Sequence, residues 1–330
     1  MKRYDRCESL QGGVPGNAGS GAFGGARRLA LLALLALLVV ALTACGASPG
    51  SSAATGSPAG SASTGAGASD SAASSLPTGD GDAKILKVSG AGIAHPASLS
   101  LSQLKAIQGT PLKETFSARN SWPTAKSFTA EGVSLSLLLK TLGIKANAGV
   151  ITITGHDGFL AHFTPDQLLS PQQTYPQLAA DWSPAGTTPV EALLAWSWSE
   201  AGSAQPTTKL RNFVGQASPT EVNLTPSVQD VASITVAAGP LKQWEAPQYD
   251  VAKGGATSTV TLYHAEMDAV QIYYTLDGSE PTQSSKLYNP STSYYQPKLI
   301  VPITAPAGSA LKLKVFGYGQ TPSEVVTVAL

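Results

Sequence analysis

A long stretch of small residues limits which part of this chain can fold. Of the 37 residues at positions 46–82, 33 are Gly, Ala, Ser, Thr or Pro. Such a segment buries too little apolar surface to offset the entropy lost on ordering, so we expect a disordered tether with a reach of roughly 30–35 Å. The 330-residue chain must therefore build its core from residues 83–330. That length suffices for one or two domains.

The charge balance and the cysteine count exclude several classes of function. The chain has 21 Lys and Arg against 21 Asp and Glu, so we expect no basic surface and no nucleic-acid partner. Both cysteines, Cys7 and Cys45, lie before the tether. A disulfide framework or a thiolate metal site is therefore not expected in the folded part.

An apolar run precedes the tether. Two arginines are followed by 16 residues at 29–44, which is too short for a comfortable membrane span and typical of the hydrophobic part of a signal peptide. Its end, Leu42-Thr43-Ala44-Cys45, resembles a bacterial lipobox. The resemblance implies that residues 1–44 are removed and that Cys45 carries lipid, which would anchor the exported protein on the extracytoplasmic face of a membrane. An ordinary cleavable signal with an incidental cysteine is the alternative.

Residues 83–245 show short helical and strand patterns in alternation. Leucines 135, 138, 139 and 142 recur at helical spacing after Ser134, a residue that can cap the helix. Thr164-Pro165 followed by Gln167 predicts a second helix that starts with a capping box. Residues 150–154 and 194–198 read as strands, and we expect Trp196 and Trp198 to share one strand face. This mixture predicts an α+β domain.

Residues 246–330 have a different pattern. Apolar residues alternate with polar ones, or β-branched residues cluster, in four runs that Gly, Pro, Asn and Asp separate: 260–263, 270–275, 311–316 and 325–328. No helical periodicity is present. The pattern predicts an all-β antiparallel sandwich of the immunoglobulin-like kind.

The stretch 272–282, Ile-Tyr-Tyr-Thr-Leu-Asp-Gly-Ser-Glu-Pro-Thr, with Ser285 and Tyr288 after it, resembles the C-terminal Ig-like domain of chitobiase and β-hexosaminidase. The resemblance covers most of 257–330 and implies a scaffold. It implies no hydrolase activity, because those enzymes carry the active site in a separate barrel. Tyr294 and Tyr295 lie in an insertion and are candidate carbohydrate contacts, although a loop that covers its own sheet is the other interpretation.

The first folded part resembles the oxidoreductase molybdopterin-binding domain of the sulfite-oxidase type. The matching stretches are Val88-Ser89-Gly90 with His95-Pro96, Glu131-Gly132-Val133-Ser134-Leu135, His156-Asp157-Gly158-Phe159, Leu210-Arg211-Asn212-Phe213-Val214-Gly215 and Ile234-Thr235-Val236. The resemblance implies a sulfite-oxidase-like α+β fold for residues 83–245.

The departure from that family concerns its metal ligand. Where the family has a cysteine whose thiolate binds molybdenum, this chain has Ser117 within Phe116-Ser117-Ala118-Arg119-Asn120. A hydroxyl replaces a soft thiolate poorly. The Gly-x-Pro-x-Arg segment that grips the cofactor phosphate is missing as well. We therefore expect a relative without cofactor, with no metal site. A molybdopterin-dependent oxidoreductase with a non-Cys metal site is the alternative, since serine-ligated molybdenum exists in a different enzyme family.

Polar and aromatic residues near this position form a candidate ligand cleft. An arginine beside a tryptophan offers a fork of donors and a stacking face for an anionic or sugar-like ligand. Two histidines with an aspartate could bind a metal or act as bases, although Asp157-Gly158 is also ordinary hairpin-turn chemistry. The residues of the predicted cleft are Ser117, Arg119, Asn120, Trp122, His156, Asp157 and His162.

These patterns predict four segments and a binding role. The segments are a lipoprotein signal peptide at 1–44, the lipidated Cys45 with its tether to 82, the sulfite-oxidase-like domain at 83–245 and the sandwich at 246–330. We predict a lipid-anchored surface protein with no catalytic residue, which binds a surface protein or a carbohydrate. A carbohydrate-binding accessory protein is a further alternative.

Overall fold

The computed structural model describes residues 82–120, 125–175, 186–288 and 301–330. All of them belong to one compact unit, Asp70–Leu330. Within these ranges no helix has the length and apolar character needed to cross a membrane. Several predicted features lie outside the described residues: Cys45, the tether up to residue 81, Trp122, Tyr294 and Tyr295.

We call the first part of the described chain the N-terminal lobe, and strands predominate in it. The strands within its described residues are β1 (Lys84–Ser89), β2 (Ala97–Ser100), β3 (Leu112–Arg119), β4 (Ala125–Ser134), β5 (Ala148–Gly155), β6 (Leu160–Phe163), β7 (Gln172–Thr174), β8 (Thr188–Val190), β9 (Leu193–Glu200), β10 (Arg211–Phe213) and β11 (Val231–Ala238).

These strands form two larger sheets and one small one. The first sheet has the order β2-β1-β11-β5-β6, and in it only the pair β1 and β11 is parallel. The second sheet has the order β10-β9-β4-β3 and is antiparallel throughout. Strands β7 and β8 form an antiparallel pair.

Three short helices accompany the sheets, namely α1 (Leu101–Gln108), α2 (Leu135–Thr141) and α3 (Pro165–Leu169). Both predicted helices are confirmed. Ser134 caps α2 by accepting a hydrogen bond from Leu137 N. Thr164 and Gln167 form the predicted capping box of α3, with Pro165 in its first turn. Local cap chemistry therefore decides where these helices begin.

The two larger sheets enclose separate apolar cores. The leucines of α2 pack with β1, β5, β11 and part of β9 in the larger core. Phe116, Phe128 and Phe213 form the smaller core on the other face of the second sheet. Trp196 belongs to the first core, whereas Trp198 packs against the second.

The prediction that Trp196 and Trp198 share a strand face is thus wrong. In the pairing of β4 with β9, Glu131 lies opposite Ser197 and Gly132 lies opposite Ala195, so Trp196 has no partner and forms a bulge. One extra residue reverses the alternation of side chains along a strand.

The C-terminal part is an all-β sandwich, as predicted. Its strands within the described residues are β12 (Gln248–Lys253), β13 (Thr257–Tyr263), β14 (Val270–Thr275), β15 (Lys286–Leu287), β16 (Ile303–Pro306), β17 (Ala310–Gly317) and β18 (Val326–Ala329). They form two antiparallel sheets, β12-β13-β16 and β15-β14-β17-β18.

A single apolar core lies between the two sheets of the sandwich. Alternate residues of β13 and β17 point into it, among them Val260, Leu262 and Leu313. Leu262 N donates a 3.1 Å hydrogen bond to the Tyr288 hydroxyl. Asp277 forms a turn after β14, because its carboxylate accepts hydrogen bonds from both N and Oγ of Ser279.

Candidate functional site

Ser117 lies inside the protein. It is the sixth residue of β3, an edge strand of the second sheet, and only 2% of its surface is exposed. The strand places it between the small β7-β8 sheet and the loop that follows β10. No open cleft reaches the hydroxyl among the described residues, because neighbouring polar groups surround it.

All hydrogen-bonding positions of the Ser117 hydroxyl are occupied. It donates to Oε1 of Gln216 at 2.6 Å, and it accepts from Tyr175 N at 2.7 Å and from Thr174 Oγ1 at 3.2 Å. A serine hydroxyl has one proton and two lone pairs. A metal could bind this oxygen only by displacing one of these partners, so the residues present do not fit a molybdenum site.

One partner of the Ser117 hydroxyl, Gln216, begins a loop that we call the anchoring loop, residues 216–224. Asn223 joins it to the edge of β3: its Oδ1 accepts from Arg119 N at 2.9 Å and its Nδ2 donates to Ser117 O at 3.0 Å. Gln216 adds a hydrogen bond from Nε2 to the carbonyl of Glu221. The hydrogen bonds from Asn223 to the backbone of β3, the edge strand of the second sheet, hold the anchoring loop in position.

Arg119 lies beside the same loop and is 1% exposed. Its Nη1 donates to the carbonyl of Thr220 at 3.4 Å. Burial lowers the pKa of Arg119 to about 10, and interaction with Tyr273 acts in the opposite direction. Burial raises the pKa of Tyr273, which lies in β14 of the sandwich. The predicted cleft residue Arg119 therefore serves the junction between lobe and sandwich.

Glu221 is a buried carboxyl in the anchoring loop. It accepts a short hydrogen bond from Ala217 N. Burial raises the pKa of this carboxyl above 4.5, and that hydrogen bond partly opposes the rise. Tyr318 of the sandwich lies close enough for the carboxylate to raise the pKa of its phenol, after the larger effect of burial. A titratable pair thus lies where the lobe meets the sandwich.

The two histidines of the predicted cleft lie in the hairpin of β5 and β6. His156 is exposed just after β5, and His162 on β6 pairs with Thr152, whose Oγ1 is 3.0 Å from its Nδ1. Asp157 Oδ1 accepts from Phe159 N at 2.9 Å, which is the hydrogen bond of an ordinary Asx turn. In the described ranges no three His, Cys, Asp or Glu side chains are placed to hold a metal ion.

The described residues of the predicted cleft come from different sheets. Ser117 and Arg119 lie on β3 of the second sheet, and Asn120 follows directly after it. His162 lies on β6 of the first sheet, and His156 and Asp157 lie in the turn between β5 and β6.

Arg119 is a junction residue that the sequence singled out, whereas Thr220, Glu221 and Tyr318 lie at the same junction and were not singled out. The only signal of these three in the sequence is that they are polar or aromatic within loops.

Comparison with known proteins gives a family match for part of the chain. No curated protein matches the chain. Among solved structures, the sulfane dehydrogenase SoxCD from Paracoccus pantotrophus aligns over 72% of this chain and 68% of its own, at 10% identity and a TM-score of 0.32. The FN1–FN3 domains of chicken CNTN1 align over 65% of this chain and 62% of theirs, at 10% identity and a TM-score of 0.18. Both TM-scores are too low to carry an argument. Residues 252–327 match the family described as the chitobiase/β-hexosaminidase C-terminal domain.

Proposed function

We propose that this protein is a lipid-anchored binding protein of the extracytoplasmic surface. In this proposal residues 1–44 are a signal peptide, Cys45 carries the lipid, and the tether holds the folded part away from the membrane. The N-terminal lobe is a sulfite-oxidase-like domain that binds no molybdenum. The sandwich is an accessory domain without catalytic activity.

One observation carries this proposal: every hydrogen-bonding position of the Ser117 hydroxyl is occupied by a group of the protein. The proton and both lone pairs of this oxygen are used within the protein. In this proposal Ser117 stands where sulfite-oxidase-type enzymes hold molybdenum and instead supports the anchoring loop. A domain with that arrangement is suited to binding rather than to metal-dependent redox chemistry.

Molybdenum analysis tests the absence of the cofactor. The full chain would be produced in a host that makes and inserts molybdopterin, next to a molybdenum enzyme as a positive control. We expect no molybdenum in the purified protein. About one atom of molybdenum per chain would overturn the proposal and support the alternative, an oxidoreductase with a non-Cys metal site.

Membrane fractionation tests the anchor. We expect the wild-type protein in the membrane fraction and Cys45→Ala in the soluble exported fraction, because the variant has no thiol to receive lipid. Cys7→Ala is the matched control and should stay with the membrane. If Cys45→Ala remained in the membrane fraction, the lipid anchor would be ruled out.

Carbohydrate binding by the sandwich is a second candidate. It is favoured by the match of residues 252–327 to a domain of enzymes that act on carbohydrates. Pull-down with insoluble polysaccharides tests it, and Tyr294→Ala with Tyr295→Ala tests the predicted contacts. Failure to bind any polysaccharide would remove this candidate, and retention by the double variant would exclude the two tyrosines as the site.

A further inference from the structure

Glu221 lies within the contact between the N-terminal lobe and the sandwich. Thr220 and Val222, its neighbours in the anchoring loop, both bind Gln271 of β14. Gln271 donates to Thr220 O and accepts from Val222 N, each at 3.0 Å. Oγ1 of Thr220 also lies 3.5 Å from the hydroxyl of Tyr273. The loop is therefore bound to the sandwich on both sides of Glu221.

The Glu221 side chain is buried at this contact, and only 7% of the residue is exposed. Its carboxyl accepts a hydrogen bond from Ala217 N, within the anchoring loop. It also interacts by hydrogen bond with the side chains of Tyr318 and Gln283, which belong to the sandwich. The carboxyl thus has partners on both sides of the contact, so a separation of lobe and sandwich changes its surroundings.

No ion pair among the described residues compensates a charge on this carboxyl. The titratable side chains that interact with it are three phenols: Tyr175 after β7, Tyr273 of β14 and Tyr318 after β17. Burial raises the pKa of all three phenols, which therefore offer the carboxyl hydrogen bonds and no positive charge. Arg119 of β3 donates to a carbonyl of the same loop and interacts electrostatically with Tyr273.

A cavity of about 650 Å³ lies between lobe and sandwich, and Glu221 is among its lining residues. Phe159 of the lobe and Met267 of the sandwich also line it. Burial raises the pKa of Asp268, another lining residue. The further acidic and basic side chains of the lining are His162, Lys242 and Glu266. Because both parts contribute to the lining, a separation of lobe and sandwich opens this cavity to solvent.

Burial makes the charged form of Glu221 costly. It raises the pKa of the carboxyl above 4.5, and the hydrogen bonds from Ala217, Tyr318 and Gln283 oppose this rise only in part. When the anchoring loop leaves the sandwich, water reaches the carboxyl and removes the cause of the rise. The closed arrangement therefore binds a proton more tightly than the open one. Linkage then requires that a rise in pH favours the open arrangement.

We propose that Glu221 makes the contact between lobe and sandwich a pH-sensitive latch, which is closed while the carboxyl is protonated and opens when the carboxyl ionises. At acid pH the two parts line the cavity together, and at higher pH they separate. Because one proton is released to solvent, the open fraction should rise from about a tenth to about nine tenths over about two pH units. The latch goes beyond the proposed binding role, because it acts on the contact rather than on a ligand.

Single-molecule energy transfer between two dyes on the full exported chain tests the latch. The attachment positions are Ser203, in an exposed turn of the lobe, and Ala252, on the exposed strand β12 of the sandwich. We expect the transfer efficiency to shift between two values, with the profile of a single proton, as the pH rises from about 4 to about 9. The circular dichroism should stay unchanged, because lobe and sandwich each remain folded.

Two variants assign the shift to one carboxyl. Glu221→Gln cannot ionise but keeps an acceptor for Ala217 N, so we expect its transfer efficiency to stay at the acid value over the whole pH range. Glu266→Gln is the matched control, because it removes an exposed carboxylate from the lining of the same cavity. It should follow the wild type.

A wild-type transfer efficiency that does not vary with pH would overturn this inference, and so would the same pH profile in Glu221→Gln. A loss of circular dichroism at the same pH would mean unfolding in place of opening, with the same consequence. If Glu221→Gln does not fold, Glu221→Ala takes its place, and if neither folds the wild-type profile decides alone. Molybdenum analysis and membrane fractionation do not depend on Glu221, so the proposed function and the latch can each fail without the other.

Discussion

The hydroxyl of Ser117 donates a 2.6 Å hydrogen bond to the side-chain carbonyl of Gln216, 99 positions later in the sequence. Through this bond an edge strand holds the anchoring loop, residues 216–224. The loop in turn reaches the sandwich, because Gln271 accepts from Val222 N and donates to Thr220 O, each at 3.0 Å. A single buried polar contact is thus linked to the arrangement of lobe and sandwich.

Removing the Ser117 hydroxyl should destabilise the protein. Ser117→Ala leaves the Gln216 carbonyl and the Tyr175 N–H buried without their partner, which we expect to cost about 2–4 kcal/mol of unfolding free energy. Urea denaturation followed by tryptophan fluorescence measures this cost. Ser203→Ala, at an exposed turn, is the control and should be nearly neutral. A neutral Ser117→Ala would mean that the bonding of this oxygen does not matter to the fold.

Gln167 offers a second test of how lobe and sandwich are joined. Its Oε1 accepts from Thr164 N in the capping box and from Gly319 N at 3.0 Å, while its Nε2 donates to Gly317 O at 3.0 Å. Gln167→Ala loses all three bonds. We expect faster proteolysis in residues 239–247, the connecting segment between β11 and β12. We also expect a calorimetric transition that broadens or splits, because lobe and sandwich unfold less cooperatively.

A matched glutamine separates the two roles of Gln167. Gln103 occupies the same capping-box position in α1, and its described hydrogen bonds stay within the lobe. Gln103→Ala should lower stability without changing proteolysis of the connecting segment. Equal protease sensitivity in both alanine variants would show that capping alone explains the effect.

Short-range chemistry made part of this fold predictable. The cap at Ser134 and the capping box at Thr164 each depend on partners within three residues, and both are confirmed. The alternation of apolar residues likewise predicted the all-β sandwich. Helix caps and the alternation of apolar residues can be predicted from the sequence because the geometry of a few adjacent residues determines them.

Long-range packing could not be predicted in this way. The bulge at Trp196 arises from the register of two strands about 65 positions apart, so a regular alternation placed Trp198 on the wrong face. The bond from Ser117 to Gln216 depends on which segments meet after folding. The residue types alone do not predict which distant segments come into contact.

Arg211 gives a prediction about such long-range packing. Its guanidinium carbon lies 4.8 Å, 4.5 Å and 4.9 Å from the ring centroids of Phe128, Trp198 and Phe213. Burial lowers the pKa of Arg211 to about 10. Arg211→Lys keeps the charge but loses the planar stacking, so we expect a loss of about 1–3 kcal/mol in unfolding free energy.

A neighbouring lysine supplies the control for Arg211. Lys209 forms an ion pair with Asp230, and its side chain is 66% exposed. Lys209→Ala should therefore change the unfolding free energy by less than about 1 kcal/mol in the same urea series. If Arg211→Lys were as mild as Lys209→Ala, positive charge rather than stacking would be what the three rings require.

Glu221 predicts how stability depends on pH. Burial raises the pKa of its carboxyl in the folded state above the 4.5 of the unfolded chain. Its contribution is therefore complete below pH 4.5 and is lost as the pH rises through the raised pKa of the folded state. Glu221→Gln does not ionise. We therefore expect its unfolding free energy to rise relative to the wild type as the pH passes through the raised pKa of Glu221, and the difference to become constant at higher pH.

Urea denaturation of both proteins from pH 4 to pH 9 measures this difference, with about one pH unit between points. Glu280 is the control of opposite sign. It is exposed, and the hydrogen bond from Lys314 lowers its pKa, so its contribution is present at neutral pH and is lost as the pH falls. The difference between wild type and Glu280→Gln should thus shrink toward acid. A wild-type to Glu221→Gln difference that does not vary with pH would show that Glu221 keeps an ordinary pKa in the folded protein.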